Sequence, residues 1–397
     1  MKVLMAIPYV ASIYGGPSRV VQELARSIGQ KDISVDVITT NANGASKLDV
    51  QTRQWIEQDG YRIQYFDCIH YYDSIFSFSL CQWLVKQVSA YDVVHTHSLF
   101  APTMSFVHWL CRYSKIPYIV TPHGMLEPWA LSYKASKKKL YYQHLEAPSL
   151  ATASAIHVLN RRESSQVEAL GFSQTEVVHN GVRRCNFTTL PDSTSFYQRF
   201  PETKGKKIVL FLGRVDPKKG LDLLAIAFAK VHQNLPETHL VIAGPDSIDF
   251  LSTVQRYFFE AGCLPAVTFT GMLSGSLKYA ALATASAYVA PSYSEGFSIS
   301  ILEGMASGLP CVITRECNFP EAAVAGAAHV VSLDSEAIAA ALQQVLEDLD
   351  NANAMGRNAQ KLVFDHYTWE RAADKLIQLY RRVSVSPATA TASVVGK

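Results

Sequence analysis

The sequence predicts an α/β protein built from two doubly wound halves, and three observations carry that prediction. Short β-branched runs alternate with longer stretches of helical spacing, the pattern of parallel strands buried on both faces and covered by helices. The alternation lapses once, at 191–207, and then starts again. The 397 residues exceed the usual size of one domain, and 48% hydrophobic against 18% charged residues supplies apolar material for two cores.

Taken in order, strands are expected at 3–8, 34–39, 92–96, 118–121, 156–159 and 176–178. Helical spacing covers 18–28, 78–89, 101–113 and 161–170. These elements define a first domain at 1–190. Pro, Ser, Thr, Glu and Lys without a period make 191–207 a linker. The second domain, 208–367, opens with a strand at 208–212, a helix over 220–232 and a strand at 239–243, and it continues to strands at 287–290 and 311–314. A last helix over 368–385 returns to complete the first domain, and the tail 386–397 is expected to be disordered. Parallel α/β sheets bind ligands in loops at the carboxyl ends of their strands, so the chemistry is sought there, in a cleft between two such edges.

Composition excludes several classes. Lys plus Arg number 36 against 34 Asp plus Glu, a net charge of +2, which argues against a nucleic-acid binder. The apolar start, Val3 to Ile7, ends at Pro8 and follows a single Lys2, which is too short for a membrane span and too weak for a signal peptide. Seven scattered cysteines with no Cys-x-x-Cys pair read as reduced thiols, so the expected compartment is the cytoplasm and no zinc site is expected.

Three glycine-containing loops carry chemistry. Gly15-Gly16-Pro17 follows the first strand and opens a helix, which frees backbone N–H groups for an anion; a tight strand-to-helix turn accounts for it equally well. Gly213 to Gly220 holds Arg214, a planar fork, and Lys219, a point charge, a pair suited to a diphosphate or simply a solvated basic loop. The third loop decides between these readings. Strand 287–290 enters Pro291-Ser-Tyr-Ser-Glu295-Gly296-Phe297-Ser298, and a helix follows that carries Glu303. Phosphate fits the N–H groups of Phe297, Ser298 and Ile299 at the helix start, and carboxylates at Glu295 and Glu303 suit two sets of sugar hydroxyls on either side of it. Gly244, after strand 239–243, and Met272 and Leu273, in a turn that offers backbone groups, join this candidate ligand-binding set.

Glu295 to Glu303 together with Arg214 to Gly220 resembles the retaining nucleotide-sugar glycosyltransferases of family 4, which have the GT-B fold of two Rossmann-like domains facing across a cleft. The likeness runs over nearly the whole chain. Gly15 to Val20 is similar to the family's first glycine loop, Asp92 to His97 to its middle strand, and His179-Asn180-Gly181-Val182 to its Asn-Gly-Val. Tyr367 to Glu370 resembles the stretch where the last helix crosses back, and Thr121 to Ala130 resembles the subset that builds bacterial exopolysaccharides. A narrower likeness is to the heterocyst-envelope polysaccharide glucosyltransferases of cyanobacteria.

The resemblance implies that Arg214 and Lys219 bind the donor diphosphate and stabilise the departing nucleotide. It further implies that Glu303 holds the ribose, that Glu295 with the N–H groups of Gly296 to Ser298 grips the donor sugar, and that His123 touches the sugar hydroxyls. It implies a hexose donor, UDP-glucose, no metal, and a saccharide or polyprenyl-linked saccharide acceptor at the inner face of a membrane. An epimerase or a non-catalytic carbohydrate-binding protein on the same fold are the alternatives. Two positions depart from the family pattern: Ser298 stands where Gly is usual, and Arg183 where an acid is common.

Other features carry less. Asp348-Leu349-Asp350 matches a metal motif of the other large transferase fold but reads as a solvated acidic helix end. His95 and His97 share one face of a strand without a third ligand. His97, Met125 and Trp129 are the acceptor-side candidates, with packing the favoured reading of the last two. The basic run Lys134 to Lys139, interleaved with aromatics, reads as a solvated helix face or a contact with anionic lipid.

Overall fold

The computed structural model describes residues 1–71, 74–127 and 139–385. They form two compact units: residues 1–179 with the last helix, Trp369–Val385, and residues 180–368.

The sheet of the first unit contains β1 (Lys2–Tyr9), β2 (Ser34–Thr40), β3 (Trp55–Glu57), β4 (Arg62–Phe66), β5 (Val93–His97), β6 (Tyr118–Thr121), β7 (Ala155–Val158) and β8 (Thr175–Val177). Their order is β8-β7-β6-β5-β1-β2-β4-β3. Every neighbouring pair is parallel except β3 with β4. Leu4, Ala6, Ile38, Val94, Val120 and Ile156 form one core with Leu84, Met104 and Val107 of the covering helices. The edge pair β3–β4 was not expected, because Arg62 and Gln64 break the apolar run. Arg62 is instead held by Asp36 on β2, with Nε to Oδ1 at 2.6 Å and Nη2 to Oδ2 at 2.9 Å, and its guanidinium lies over the Trp55 ring.

The second unit has β9 (Lys207–Leu212), β10 (Thr238–Ala243), β11 (Val267–Gly271), β12 (Ala287–Ala290), β13 (Cys311–Thr314) and β14 (Ala328–Val331), ordered β11-β10-β9-β12-β13-β14 and wholly parallel. Phe211, Leu224, Phe228, Ile242, Phe258, Val289 and Leu342 lie in its core.

The stretch expected as a linker, 191–207, is folded into this unit. It carries the helix Thr194–Arg199, whose Phe196 is fully buried against Phe200, and the chain changes units at His179/Asn180 instead. A six-residue helix anchored by one aromatic shows too little period to be read from sequence. Trp369–Val385 packs in the first unit through Trp369, Leu376 and Tyr380. The tail 386–397 lies outside the described residues. Six cysteines are buried and Cys185 is exposed. Among the described residues no helix is long and apolar enough to cross a membrane.

In each sheet the strand order reverses beside the first strand, between β1 and β5 and between β9 and β12. A crevice opens outside the carboxyl ends of the strands at such a point.

Candidate active site

In the second unit, β9 and β12 are hydrogen-bonded neighbours, so the loops that follow them lie side by side. The loop after β9 is shaped by Asp216, whose carboxylate accepts the Lys218 N–H at 3.0 Å, and by Gly220 in the left-handed region, φ 65°. The loop after β12 rests directly on it. The Tyr293 N–H donates to the Lys218 carbonyl at 2.7 Å, and a Cβ on Gly220 would fall 2.0 Å from the Pro291 oxygen.

This seating brings Lys219 Nζ to Glu295 Oε1 at 2.5 Å, with the side chains only 16% and 12% exposed. The same oxygen accepts from Ser292 Oγ at 2.8 Å. Arg214 is 44% exposed, with Nη2 3.7 Å from the Asp216 carboxylate. Glu303 lies on the helix Ile299–Ala306, almost wholly buried, and accepts from Lys278 Nζ at 2.7 Å.

Ser298 is the cap residue of that helix, but its hydroxyl bonds to Ser300 Oγ at 3.0 Å and not to the helix start. Phe297 is buried among Phe319 and Tyr367. Gly244 lets β10 leave the sheet against Gly213, where a Cβ would fall 1.7 Å from the Gly213 oxygen. Met272 is exposed and Leu273 buried.

The first unit has a different edge. Gly15 adopts φ 81° and precedes the helix Gly16–Gly29, whereas a Cβ on Gly16 would meet nothing within 4 Å. At the ends of β5, β6 and β7 the imidazoles form an ordered chain. His157 Nε2 meets the Val178 carbonyl at 2.9 Å and must donate, so its Nδ1 accepts from Thr121 Oγ1 at 2.9 Å. Thr121 in turn accepts from His95 Nε2 at 2.7 Å, and His95 Nδ1 accepts from the Tyr380 hydroxyl at 2.7 Å.

Beside this chain, His97 Nδ1 and His123 Nε2 are 3.1 Å apart. Burial, with help from neighbouring imidazoles, holds His95 and His97 well below the usual histidine pKa and His123 down to about 3; burial also lowers His157 to about 4.

His123 and Gly124 are consecutive left-handed residues, φ 53° and 74°. Glu163 holds them: Oε1 accepts the Gly124 N–H at 2.8 Å and Oε2 the Leu159 N–H at 2.7 Å, and burial raises its pKa to about 7. Met125 Sδ accepts from the Leu99 N–H and packs on the core. Trp129 and the basic residues 134–138 lie outside the described residues.

Residues 14–184 match the family described as Glycosyltransferase Family 4, and residues 192–362 match Glycosyl transferases group 1. A phosphatidyl-myo-inositol mannosyltransferase of Mycobacterium tuberculosis is 30% identical over 319 residues, 77% of this chain and 77% of its own. The chain belongs to the GT-B glycosyltransferases.

A glycogen synthase of the same organism is 28% identical over 299 residues, covering 73% of this glycosyltransferase and 68% of its own length. Among solved structures, Anabaena HepE in complex with UDP and glucose superposes with a TM-score of 0.78 at 18% identity, over 96% of this chain and 100% of its own. Sucrose-phosphate synthase of Thermosynechococcus elongatus gives 0.76 at 20% identity, over 97% and 100%. Both show the GT-B fold.

In this glycosyltransferase the structure joins Lys219 to Glu295, which the sequence read as contacts to different parts of one ligand. It adds Ser292, which lay without a role inside the third loop, and Lys278, which no motif flagged. Asp348 caps the helix Leu349–His366 by accepting the Asn351 N–H at 3.1 Å, and among the described residues no group of three or more His, Cys, Asp or Glu could hold a metal.

Proposed function

We propose that this glycosyltransferase moves a hexose, glucose from UDP-glucose, onto a saccharide or polyprenyl-linked saccharide with retention at the anomeric carbon, in exopolysaccharide synthesis at the inner face of the plasma membrane. The observation that carries the reading is the seating of two loops at the switch point of the second sheet. It sets a lysine, a carboxylate and a helix start against one another. A diphosphate suits the lysine and the helix N-terminus, and sugar hydroxyls suit the carboxylate.

In this reading Lys219, Arg214 and the N–H groups of Ser298 and Ile299 stabilise negative charge on the departing diphosphate, the work a metal ion does in other transferases. Glu295 accepts hydrogen bonds from the hexose, and Glu303, paired with Lys278, accepts them from the ribose. The C1–phosphate bond breaks as the acceptor oxygen bonds to C1 on the same face, and the acceptor proton passes to the leaving phosphate oxygen. The neutral, histidine-lined edge of the first unit suits an uncharged, hydroxyl-rich ligand. A fold neighbour described in complex with UDP-glucose supports this donor.

Thermal shift with UDP-glucose, GDP-mannose and ADP-glucose, with and without EDTA, tests the donor. The expected result is stabilisation by UDP-glucose alone, unaltered by chelation. Stabilisation by GDP-mannose, the donor named for one relative 28% identical to this chain, would reassign the base. Proton NMR of the first-formed product tests retention: an α-linked hexose is expected, and a β-linkage would overturn it.

A further inference from the structure

Two asparagines remote in sequence hold the backbone of the loop between β12 and its helix. Asn180 Nδ2 donates to the Phe297 carbonyl at 3.1 Å, a contact spanning 117 residues of chain. Asn318 Nδ2 donates to the Glu295 carbonyl at 2.5 Å. A trans peptide is planar, and its carbonyl and the next N–H point in opposite directions. Fixing the Phe297 carbonyl on Asn180 therefore turns the Ser298 N–H away from Asn180, and fixing the Glu295 carbonyl on Asn318 does the same for the Gly296 N–H. Asn180 is buried, whereas Glu295, Gly296 and Ser298 are partly exposed, so the N–H of Ser298 is turned toward the open side of the loop.

The anchorage is doubled. The Phe297 ring packs on Tyr367 at 5.5 Å and on Phe319 at 5.3 Å, and the strand bridge of Val182 to Thr368, with the Val182 N–H on the Tyr367 carbonyl at 3.0 Å, fixes the segment that bears Asn180. Asn318 sits in the left-handed region, φ 56°, where asparagine is among the few tolerated side chains, and it ends the turn Arg315–Cys317.

We propose that Asn180 and Asn318 are positioning residues for this loop: Asn180 aims the Ser298 N–H at the distal phosphate of the donor, and Asn318 steadies the Glu295–Gly296 peptide beside it. The inference rests on the reading of this loop as the diphosphate site. With Glu295 on the hexose and Glu303 on the ribose, the phosphate next to Glu295 is the distal one. Donors already oriented need no reorganisation when the phosphate arrives, and that is the condition under which they contribute most.

The test is calorimetric binding of UDP and UMP, because a loss confined to the second phosphate distinguishes aiming from general support of the fold. Wild type is expected to prefer UDP by at least about tenfold, as for hydrogen bonds to a charged group. Asn180→Ala is expected to lower that preference several-fold with UMP affinity unchanged, and Asn180→Asp, which keeps the shape but cannot donate, should do the same. Asn318→Gly leaves the left-handed backbone unstrained and carries the test if the Asn180 variants do not fold. Variants that retain the wild-type UDP-to-UMP ratio overturn the proposal while leaving the site reading intact. Wild-type protein that binds UDP no better than UMP overturns both.

Discussion

At the carboxyl edge of the first sheet, His95, Thr121 and His157 share one hydrogen-bonded chain, with His97 and His123 paired beside it. At the matching edge of the second sheet, Lys219 meets Glu295 and Lys278 meets Glu303 in two largely buried ion pairs. Both edges grow from the same device, a parallel sheet whose strand order reverses beside its first strand. The difference teaches that the sheets supply position alone, and that the loops decide whether an edge presents neutral hydrogen-bonding groups or charge.

The contrast can be broken most severely by acid. His95, His97, His108 and His157 are fully buried, and their lowered pKa values, with that of His123, mean that the unfolded chain takes up protons once the pH falls below about 6.5. Glu146 and Glu163, raised to about 7 by burial, act oppositely: their contribution is present below about 4.5 and lost as the pH rises through 7. Between pH 4.5 and 6.5 the imidazoles, His123 included, outnumber these carboxyls by three, so the first unit should lose stability steadily on acidification. Hydrogen exchange at pH 5 should show β5–β7 opening before β9–β12. Equal protection of the two units would remove the distinction.

A smaller effect is expected from Lys219→Ala. Turnover (kcat/KM) should fall by about 2–4 kcal/mol of transition-state stabilisation, on the scale of losing one oxyanion donor, while the melting of the first unit stays put. Normal donor turnover would remove Lys219 from the diphosphate. Smaller again is Thr121→Val. It preserves shape but leaves the His95 Nε2 and the His157 Nδ1 unpaired, which should cost about 2 kcal/mol of stability in the first unit. UDP affinity measured on the same variant should not move.

How far the sequence reaches differs between the edges for a physical reason. The proposed phosphate site draws on consecutive backbone groups and nearby side chains, so Arg214 to Gly220 and Glu295 to Glu303 were visible as local motifs. The parallel strands were visible as well, because burial on both faces leaves β-branched runs. The imidazole chain was not visible, since its members come from β5, β6, β7 and the last helix, and only folding gives them a common neighbour. Glu163 looked like one more polar residue on a helix until Gly124 and Leu159 were seen to donate to it. Asn180 stood in a recognisable triplet, but its partner lies 117 residues away. Lys278 gave no signal at all.

The Gly220–Pro291 contact has a consequence for anyone who wishes to retarget this enzyme. With no room for even a methyl group there, neither loop can be rebuilt while its neighbour stays native without disturbing the fit. The two must be transplanted together, as one cassette cut at the ends of β9 and β12. A library diversified in one of them alone will return mostly variants that have lost their register rather than variants with a new specificity.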